Sequence, residues 1–586
     1  MNRRRFSGGR LGSVVVLVAA AVVAGPLAGS AHAQISPHRS AADLRAQVGK
    51  SLGSTDRLSS GLRTWLAGPS RMKVSAAQRA ATPTLGTNVD ANDPALDLAA
   101  GQSETAIAAQ RRRTGALVLV GWNDISGALA DPTTQAGSVT GIGLSHDGGR
   151  HFTDLTGLPN NNTDQQWSGD PSIASLGDGT HFLISSLYYP SARACSDGLP
   201  AYGTVAVTVA TVNPSGTGAS FTAPVPVTLP GDLCTAGTAA QPGDLGTLDK
   251  NWLSYDPASR TVAVSYTRFY FPPPLICDPA GCVQDAAGHT GNGQIEVVRG
   301  RVPANPASLT AAQFSKPVVV WPEELYCPVG TPSSEQARCG AVDQGAYAAV
   351  APGGDTYVAW ERNIDSNLFG SGDPLVYLHA AVIPAHAAAP SRGGPANRVI
   401  ISAGQPHGNT AGGTKSLDTV PIAGYSRGQG QDFPRVAVNS RNRSVVFAWN
   451  DASLHPLGDI WLRSAPYGLN TLGKTVRVND DASYALHFLP AVSVRDDGTI
   501  CTSWYDRRLG GPDSTRTDYY ADCRTTVTSN RHDLRVTTGS TDWAGTSSLI
   551  NPNFGDYTDN ATDGTTTYFT WSDGRLGIPQ PFTDHR

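Results

Sequence analysis

Residues 490–506, with the sequence PAVSVRDDGTICTSWYD, decide the fold of this chain. A short apolar strand at 490–494 is followed by an acidic turn that ends on Gly498. A second apolar strand follows and ends with Trp-Tyr-Asp at 504–506. Two apolar runs joined by an Asp-Gly turn predict an antiparallel β-hairpin, because Asp and Gly accept the backbone angles of a tight turn.

The same unit recurs along the chain, and its second strand always ends on an aromatic residue. These aromatic residues are Trp122, Tyr188, Tyr266, Trp360, Trp449, Trp504 and Trp571. Their average spacing of about 75 residues exceeds the roughly 40–50 residues of compact propeller repeats and predicts long loops. A further hairpin follows most units, as at 204–210 and 459–464, and two hairpins make one four-stranded blade.

The repeats predict an all-β fold, a β-propeller of four-stranded antiparallel blades. Seven blades are favoured, with six blades or an array of β-sandwiches as the alternatives. Residues 88–93, NVDAND, resemble 476–481, VRVNDD, which lie late in their own unit, and little chain follows Arg575. We therefore expect the strand near residue 89 to complete the last blade and close the ring, which removes the problem of unpaired sheet edges.

Composition agrees with this prediction and limits the possible partners. The 64 glycines, 41 prolines and only 2 methionines suit many short strands joined by turns. The formal net charge of the whole chain is −4, and it becomes −8 once four arginines at the N-terminus are removed. A mildly acidic chain gives no reason to expect a nucleic-acid partner. We expect a monomer without a membrane span.

The first 33 residues are predicted to be an export signal. A basic start (Arg3, Arg4, Arg5, Arg10) precedes an apolar run at 11–27 and the small-residue cleavage site Ala31-His32-Ala33. A membrane anchor is the alternative, but the run is short and a cleavage site follows it. Arg3-Arg4-x-Phe6 fits a twin-arginine signal. We expect a secreted protein with a linker or pro-segment at 34–86 and the propeller at 87–586.

The eight cysteines fit an exported protein. They fall in neighbouring pairs along the chain: Cys195/Cys234, Cys277/Cys282, Cys327/Cys339 and Cys501/Cys523. An even count outside the cytoplasm favours disulfide bonds, here within single loops or hairpins, although sequence does not establish connectivity. A zinc site is the alternative, but the chain has no C-x-x-C motif.

Residues 145–152, SHDGGRHF, match the Asp-box (BNR) pattern S-x-D-x-G-x-x-W/F. Together with the Trp-Asn-Asp and Trp-Tyr-Asp-Arg-Arg endings of the repeats, this turn resembles the sialidase-like β-propellers secreted by actinobacteria, over roughly residues 87–580. The resemblance places the turn between the third and fourth strands of a blade, away from the expected pocket. Its Asp is expected to cap backbone N–H groups, which is a structural role.

Topology indicates where a ligand could bind. Each blade's entry to its first strand and the turn after its second strand lie on one face, around the central channel. Charged and aromatic residues are dense at the first-strand entries: Asp170, Asp249, Lys250, Asn251, Gln344, Tyr347, Asp432, Arg435, His487, Asp556 and Tyr557. A second group follows the second strands: Asp124, Arg268, Glu361, Arg362, Asp451, Asp506, Arg507, Arg508, Asp573 and Arg575. Turn caps and salt bridges are the structural alternative for each.

Sialidases bind a sugar carboxylate through three arginines and use a tyrosine nucleophile, a supporting glutamate and an aspartic acid/base. By this resemblance Tyr557 is the candidate nucleophile, Glu361 its base and Asp124 the general acid. The candidate substrate-binding residues are Arg268, Arg362, Arg435, Arg507, Arg508, Arg575, Asp170, Asp249 and Trp252. The family's Phe-Arg-Ile-Pro motif is absent, because Ser103-Glu104-Thr105-Ala106-Ile107 stands in its place. Three arginines are therefore not uniquely assigned.

These observations favour a secreted glycoside hydrolase of the exo-sialidase type that acts on exposed glycans, acidic ones among them. A different glycosidase or a polysaccharide lyase fits the same residues. A non-catalytic propeller that binds carbohydrate or protein is the alternative of another class. The chain carries no nucleophile elbow, zinc-protease motif, P-loop or dinucleotide fingerprint. No cofactor is expected, and structural calcium held by loop carboxylates is left open.

Overall fold

The computed structural model describes residues 87–586 except the segments 96–100, 114, 128–136, 161–165, 190–203, 229–245, 271–275, 279–280, 284–292, 321–341, 364–374, 387–396, 404–412, 418–419, 421, 426–429, 482–484, 511–513, 531 and 549–552. The predicted export signal at 1–33 and linker at 34–86 lie outside the described residues. Within the described part, no helix is long and apolar enough to cross a membrane.

Seven antiparallel sheets account for most of the described strands. The sheets that come first along the chain are blades 1 to 4. Blade 1 contains Gln102–Arg112, Gly115–Asp124, Thr140–Ser145 and Thr153–Asp154. Blade 2 contains Gln166–Trp167 and Ser172–Ser175, His181–Tyr189, Thr204–Val212, and Ala219–Phe221 with Val225–Pro226. Blade 3 contains Gly246–Asp256, Thr261–Tyr270, Gly293–Arg301 and Val318–Val319. Blade 4 contains Val342–Val350, Thr356–Asn363, Leu375–Ile383, Asn397–Ile400 and Thr414–Lys415.

Blades 5 to 7 complete the set. Blade 5 contains Arg435–Asn439, Ser444–Asp451, Asp459–Pro466 and Val476–Arg477. Blade 6 contains His487–Val494, Ile500–Asp506, Arg516–Arg524, Leu534–Arg535 and Thr541–Asp542. Blade 7 contains Asp559–Thr562, Thr567–Asp573, Gln580–His585 and Val89–Asp90. Outside the blades, the part of the chain that the structure describes also forms one hairpin and three short 3-10 helices: Ile276–Asp278 with Gly281–Val283, Pro306–Ser308, Ala311–Gln313 and Trp543–Gly545.

The first strands of the seven blades form a closed ring, because each contacts the first strand of the next blade and blade 7 contacts blade 1. The fold is therefore a seven-bladed β-propeller of antiparallel sheets with almost no helix, as the repeats predicted. Val89 pairs with Thr583 and Asp90 with Phe582. This confirms that the N-terminal strand completes the last blade.

Among the described residues, the hydrophobic core is divided into seven clusters, one in each interface between neighbouring blades. The aromatic residue that ends each second strand is buried in the interface with the preceding blade. Trp504, for example, packs with Val446 and Leu462 of blade 5. Since truncating such a buried aromatic residue costs about 3–5 kcal/mol, the repeated aromatic position is a main source of ring stability.

The first strands begin and the second strands end on one face of the ring. First and second strands are joined by short turns such as 257–260 and 440–443. Second and third strands are separated by longer segments such as 125–139, 190–203 and 271–292. Because neighbouring strands are antiparallel, these segments leave the sheets on the same face on which the first strands begin. We call it the upper face.

The Asp-box turn lies on the lower face, between the third and fourth strands of blade 1, as predicted. The Asp147 carboxylate accepts backbone N–H groups of Arg150 and His151 at 3.1 and 3.0 Å. Ser145 Oγ donates to Asp147 and accepts the Gly149 N–H at 2.9 Å. Burial raises the pKa of Asp147, but hydrogen bonds from His151, Ser145 and Arg150 outweigh it and lower that pKa to about 2.

The cysteine prediction is confirmed for one pair, since Cys501 and Cys523 form a disulfide between adjacent strands of blade 6. Cys277 and Cys282 are register partners in their hairpin. Cys195, Cys234, Cys327 and Cys339 lie outside the described residues.

Candidate active site

The first strands begin with a bulge that recurs around the ring. A residue with positive φ occupies it in several blades: Glu104 (54°), Asp170 (54°), Lys250 (55°), Gly345 (65°) and Leu489 (52°). In blade 4 the residue is glycine, and a Cβ there would collide with the ring of Phe433. Blades 1 to 3 instead carry charged residues in this left-handed conformation. That costs about 1–2 kcal/mol each, so the strain points to a functional site.

The charged bulge residues meet at the upper mouth of the channel. The Lys250 ammonium group of blade 3 forms an ion pair with Asp556, which precedes the first strand of blade 7. The Asp556 N–H donates to Glu104 Oε1 at 3.2 Å, and the Glu104 carboxyl group is hydrogen bonded to that of Asp170. The cluster thus joins blades 7, 1, 2 and 3 across the channel.

Asn123 of blade 1 holds the two carboxyl groups of Glu104 and Asp170 together. Its Nδ2 donates to Glu104 and also to Asp170 Oδ1 at 3.1 Å, while its Oδ1 accepts the Asp170 N–H. Asn123 lies between Trp122 and Asp124 on its strand, so its side chain points to the opposite side of the sheet, toward blade 2. A neutral amide can hold two carboxyl groups in this way without adding charge.

Burial shifts the pKa values of the charged groups in this cluster. Asp170 is only 4% exposed. Burial, followed by the charges of Glu104 and Asp249, raises its pKa well above the usual range, although Lys250 opposes this. Burial alone lowers the pKa of Lys250, but Asp556 and the other carboxylates raise it above its usual value. Burial and the neighbouring carboxylates therefore favour the protonated form of Asp170, while Lys250 and Asp556 form an ion pair.

A layer of aromatic rings lies next to this cluster and surrounds Arg435. The Arg435 guanidinium carbon is 3.6 Å from the ring centroid of Tyr347, 4.9 Å from Trp252 and 5.8 Å from Tyr557. Arg435 Nη2 also donates to the carbonyl of Thr558, which directly precedes the first strand of blade 7, at 2.7 Å. A cavity of about 330 Å³, lined by the first strands of all seven blades, contacts Arg435, Trp252 and Tyr347.

The structure brings five of the predicted site residues together: Tyr557, Trp252, Arg435, Asp170 and Asp249. The Tyr557 hydroxyl donates to the Pro171 carbonyl at 3.3 Å, and its ring packs edge-on against Trp252 at 5.9 Å. Burial, and then the charges of Asp170 and Glu104, raise the pKa of Tyr557 well above its usual range. Asp249 accepts the Lys250 N–H at 2.9 Å.

Asp124 and Glu361 lie in other surroundings. Asp124 Oδ1 accepts the Ser126 N–H at 2.9 Å and Gln102 Nε2 at 3.0 Å, as a turn cap does. The buried Glu361 accepts Gln344 Nε2 at 2.9 Å and the Asp432 N–H at 3.2 Å, which ties blade 4 to blade 5. The described partners of both residues are structural, and their predicted catalytic roles stay predictions.

Most of the predicted arginines already bind protein groups. Arg508 and Arg575 each bind the Asp two residues earlier, Asp506 at 2.7 Å and Asp573 at 2.6 Å. Arg508 also binds Asp533 at 2.6 Å. The other partners are Glu296 for Arg268, and Thr517 Oγ1 and the Ser514 carbonyl for Arg507. Arg362 lies near the buried His379. Burial, Arg398 and Arg362 all lower the pKa of His379.

Sequence reasoning missed Glu104 and Asn123 as site residues and gave Lys250 and Asp556 no individual role. Glu104 stands where the sialidase motif is missing, and that departure was the one signal for it. Asn123 belongs to the Trp-Asn-Asp ending of its repeat, and the sequence carries no separate signal for it. Within the residues that the structure describes, no group of three or more His, Cys, Asp or Glu is arranged to hold a metal ion.

No protein-family model and no curated protein matches this chain. Solved structures match it at low identity. The α-L-arabinofuranosidase of Fusarium graminearum with arabinobiose is 11% identical, covers 86% of this chain and 98% of its own, and has a TM-score of 0.37. A Trypanosoma rangeli sialidase is 10% identical, covers 71% and 54%, and scores 0.34. A Dyadobacter fermentans protein of unknown function is 10% identical, covers 71% and 93%, and scores 0.38.

Proposed function

We propose that the protein is a secreted glycoside hydrolase that acts on exposed glycans at the upper mouth of the channel. The observation that carries the proposal is Asp170, a buried carboxyl group that Asn123 holds against the Glu104 carboxyl group; burial and the charges of Glu104 and Asp249 raise its pKa and favour its protonated form. Glycoside hydrolysis needs such a proton donor and a separate charged carboxylate. The Cys501–Cys523 disulfide and the predicted export signal support secretion.

The proposed reaction divides the work between Asp170 and Asp556. Asp170 donates its proton to the glycosidic oxygen as the bond to the anomeric carbon breaks, so the leaving group departs as an alcohol. Asp556, whose charged form is favoured by Lys250, stabilises the positive charge that develops on the anomeric carbon. Water then supplies a hydroxyl group to that carbon, and its remaining proton restores Asp170.

The test is hydrolysis of a panel of aryl and alkyl glycosides by the wild type and by Asp170→Asn. Losing the acid should lower kcat/KM by about 100-fold or more on alkyl glycosides. The loss should be smaller on nitrophenyl glycosides, because a good leaving group needs little protonation. Asp497→Asn, an exposed turn carboxylate on the lower face, is the control and should leave activity unchanged. A wild type inactive on the whole panel, or an undiminished Asp170→Asn, contradicts the proposal.

The same assay decides between Asp556 and the tyrosine mechanism. If Tyr557 is the nucleophile, with Glu361 as its base and Asp124 as the acid, Tyr557→Phe abolishes activity and Asp556→Asn does not. We expect the reverse order of losses, because the raised pKa of Tyr557 keeps its phenol protonated.

A propeller that binds carbohydrate without cleaving it is the second candidate. It is favoured by the pairing of Arg508 and Arg575 with carboxylates, since arginines committed to protein groups are not available to a reacting anion. Binding of glycans by a wild type that hydrolyses none of them would support this candidate.

A further inference from the structure

The cavity of about 330 Å³ extends along the lower half of the central channel. Arg435 and Asp559, near the starts of their strands, lie at its inner end and are 4% and 7% exposed. The half-buried residues that line it close to the lower-face turns are Ser175, Tyr255, Val438, Val494 and Thr562. Because exposure rises toward these strand ends, the cavity opens on the lower face. Neither Asp170 nor Glu104 lines it.

Arg435 extends from blade 5 into this channel. Its guanidinium group lies over the rings of Tyr347 in blade 4 and Trp252 in blade 3, and Nη2 donates to the Thr558 carbonyl beside blade 7. Within the part of the chain that the structure describes, that carbonyl is its one hydrogen-bond acceptor, and no carboxylate lies within ion-pair distance. The Nε–H and Nη1–H groups therefore remain for a ligand that supplies oxygen acceptors.

The cavity has the volume and the walls to hold a sugar ring. Since a water molecule takes about 30 Å³ in the liquid, the cavity has room for about eleven waters or one monosaccharide. The first strand of each blade is the terminal strand of its sheet, so its inner edge faces the channel without a partner strand. Backbone polar groups and small aliphatic residues such as Ala108 and Ala348 thus line the wall. Such a mixed wall suits a ring with hydroxyl groups at its edge and C–H groups on its faces.

The charges near Arg435 favour a neutral ligand. Lys250 and Asp556 compensate each other as an ion pair outside the cavity. The further carboxyl groups of the cluster and of the cavity wall are Glu104, Asp170, Asp249 and Asp559. An added anion meets these carboxyl groups, and an added cation meets Arg435. Two unit charges 4 Å apart interact by about 4 kcal/mol at an effective dielectric constant of 20, so either charge weakens binding.

We propose that the central channel is a second ligand site, open to the lower face, for a free neutral monosaccharide whose hydroxyl oxygens accept the Nε–H and Nη1–H groups of Arg435. The site is separate from the proposed place of cleavage at the upper mouth. The inference does not depend on hydrolysis.

Calorimetric titration with glucose, galactose, mannose, arabinose and xylose tests the inference. At least one should bind, and Arg435→Met, which keeps the length of the side chain but removes its donors, should weaken that binding by about 10-fold or more. Arg435→Lys replaces it if that variant does not fold, because lysine lacks the forked donors. Arg441→Met, at an exposed arginine on a lower-face turn of the same blade, is the control and should leave the affinity unchanged.

Two further measurements need no variant of Arg435. The uronate and the amino sugar with the same ring as the sugar that binds should each bind about 10-fold or more weakly. A crystal soaked with the neutral sugar should show it in the channel beside Arg435. Asp170→Asn should keep the affinity for the sugar even though it lowers hydrolysis.

The outcomes separate this inference from the hydrolase proposal. Failure of all five sugars to bind, tighter binding of the uronate, or unchanged affinity in the Arg435 variants overturns the inference even where glycosides are cleaved. Competitive inhibition of hydrolysis with an inhibition constant equal to the Kd also overturns it, because the sugar then occupies the upper mouth. Binding in the channel of a protein that cleaves no glycoside overturns the hydrolase proposal and leaves the inference standing.

Discussion

Asn123 and Asn450 show how one residue type serves two purposes. Both follow the buried tryptophan of a second strand and lock their blade to the next. Asn450 accepts the Leu489 N–H at 3.2 Å and donates to Asp432 at 3.0 Å. Asn123 makes the corresponding bond to the Asp170 N–H, but it also holds the Glu104 and Asp170 carboxyl groups together. Only the blade 1 copy therefore lies in the candidate site.

This comparison gives a prediction for Asn123→Ala and Asn450→Ala. Each change should lower the free energy of unfolding by about 1–3 kcal/mol, since each leaves buried groups unpaired. Only Asn123→Ala should shift the alkaline limb of the pH profile of kcat/KM, because it alone alters the surroundings of Asp170, the proposed proton donor. Denaturant titrations and pH–rate profiles measure the two effects. An equal shift of the profile in both variants contradicts the assignment.

Asp559 makes stability depend on pH. Burial raises its pKa to about 7, although Arg435 and the N–H groups of Ile107 and Asn560 oppose the shift. The folded state therefore binds a proton that the unfolded chain releases near pH 4. Its contribution is fully present below that pH and is lost as pH rises through 7. At 1.36 kcal/mol per pKa unit, the loss amounts to up to about 4 kcal/mol.

Asp559→Asn should remove this dependence. Relative to the wild type, the variant should gain stability between pH 5 and pH 8 and show no such gain at more acid pH. The measurement is the difference between the denaturant midpoints of the two proteins across this range. A difference is needed because Asp533 and Asp584 also have raised pKa values and titrate in both proteins. Parallel curves for the two proteins would refute the role given to Asp559.

At the scale of the strand and its turn, a tryptophan and the aspartate two residues after it form a repeated hydrogen-bonded pair. Trp449, Trp504 and Trp571 each donate Nε1–H to the Asp two positions on, at 2.8, 2.9 and 2.8 Å. In blades 6 and 7 an arginine two residues further binds the same carboxylate. The pattern thus places a buried ring in one interface and fixes the turn that follows on the upper face.

Asp506 is in contact with two basic side chains. Besides Trp504 and Arg508 it lies 3.4 Å from His487 Nε2. Asp506→Ala should destabilise the protein by about 1–3 kcal/mol, because it leaves the buried Trp504 Nε1–H without its acceptor and removes one of the carboxylates that hold Arg508 and His487. Asp497→Ala, an exposed turn carboxylate of the same blade, should cost less than about 1 kcal/mol. Equal losses of unfolding free energy for the two variants in urea would argue against this role of Asp506.

The blades could be predicted from the sequence because the aromatic endings repeat at residues that are buried in every interface. The convergence of Asp170, Asp249 and Tyr557 followed from the topology alone. The roles of Glu104 and Asn123 could not be predicted, because they depend on a left-handed backbone and on a contact between blades 1 and 2. A pattern within one strand does not report which residue of the neighbouring sheet it will meet.

For the whole molecule, ring closure depends on a strand of two residues, Val89–Asp90. The residue after it, Ala91, donates its N–H to the Pro581 carbonyl of the third strand at 2.9 Å. Blade 1 ends in the same way, with the two-residue strand Thr153–Asp154 and a bond from the Leu155 N–H to the Ile142 carbonyl at 2.8 Å. The two positions differ in one respect, because only the first joins the N-terminal strand to the last blade.

Proline at each position removes the equivalent donor, so the pair measures what closure contributes. Ala91→Pro should lower the free energy of unfolding by about 3 kcal/mol or more and speed unfolding in guanidinium chloride at least tenfold. Releasing this strand opens blade 7 and then exposes its interfaces with blades 6 and 1. Leu155→Pro frays only the outer edge of one blade. It should therefore lower the free energy of unfolding by less, even though the Leu155 side chain also packs against the core. Tryptophan fluorescence after denaturant jumps gives both rates, and equal rates would mean that the ring does not unfold from its closure.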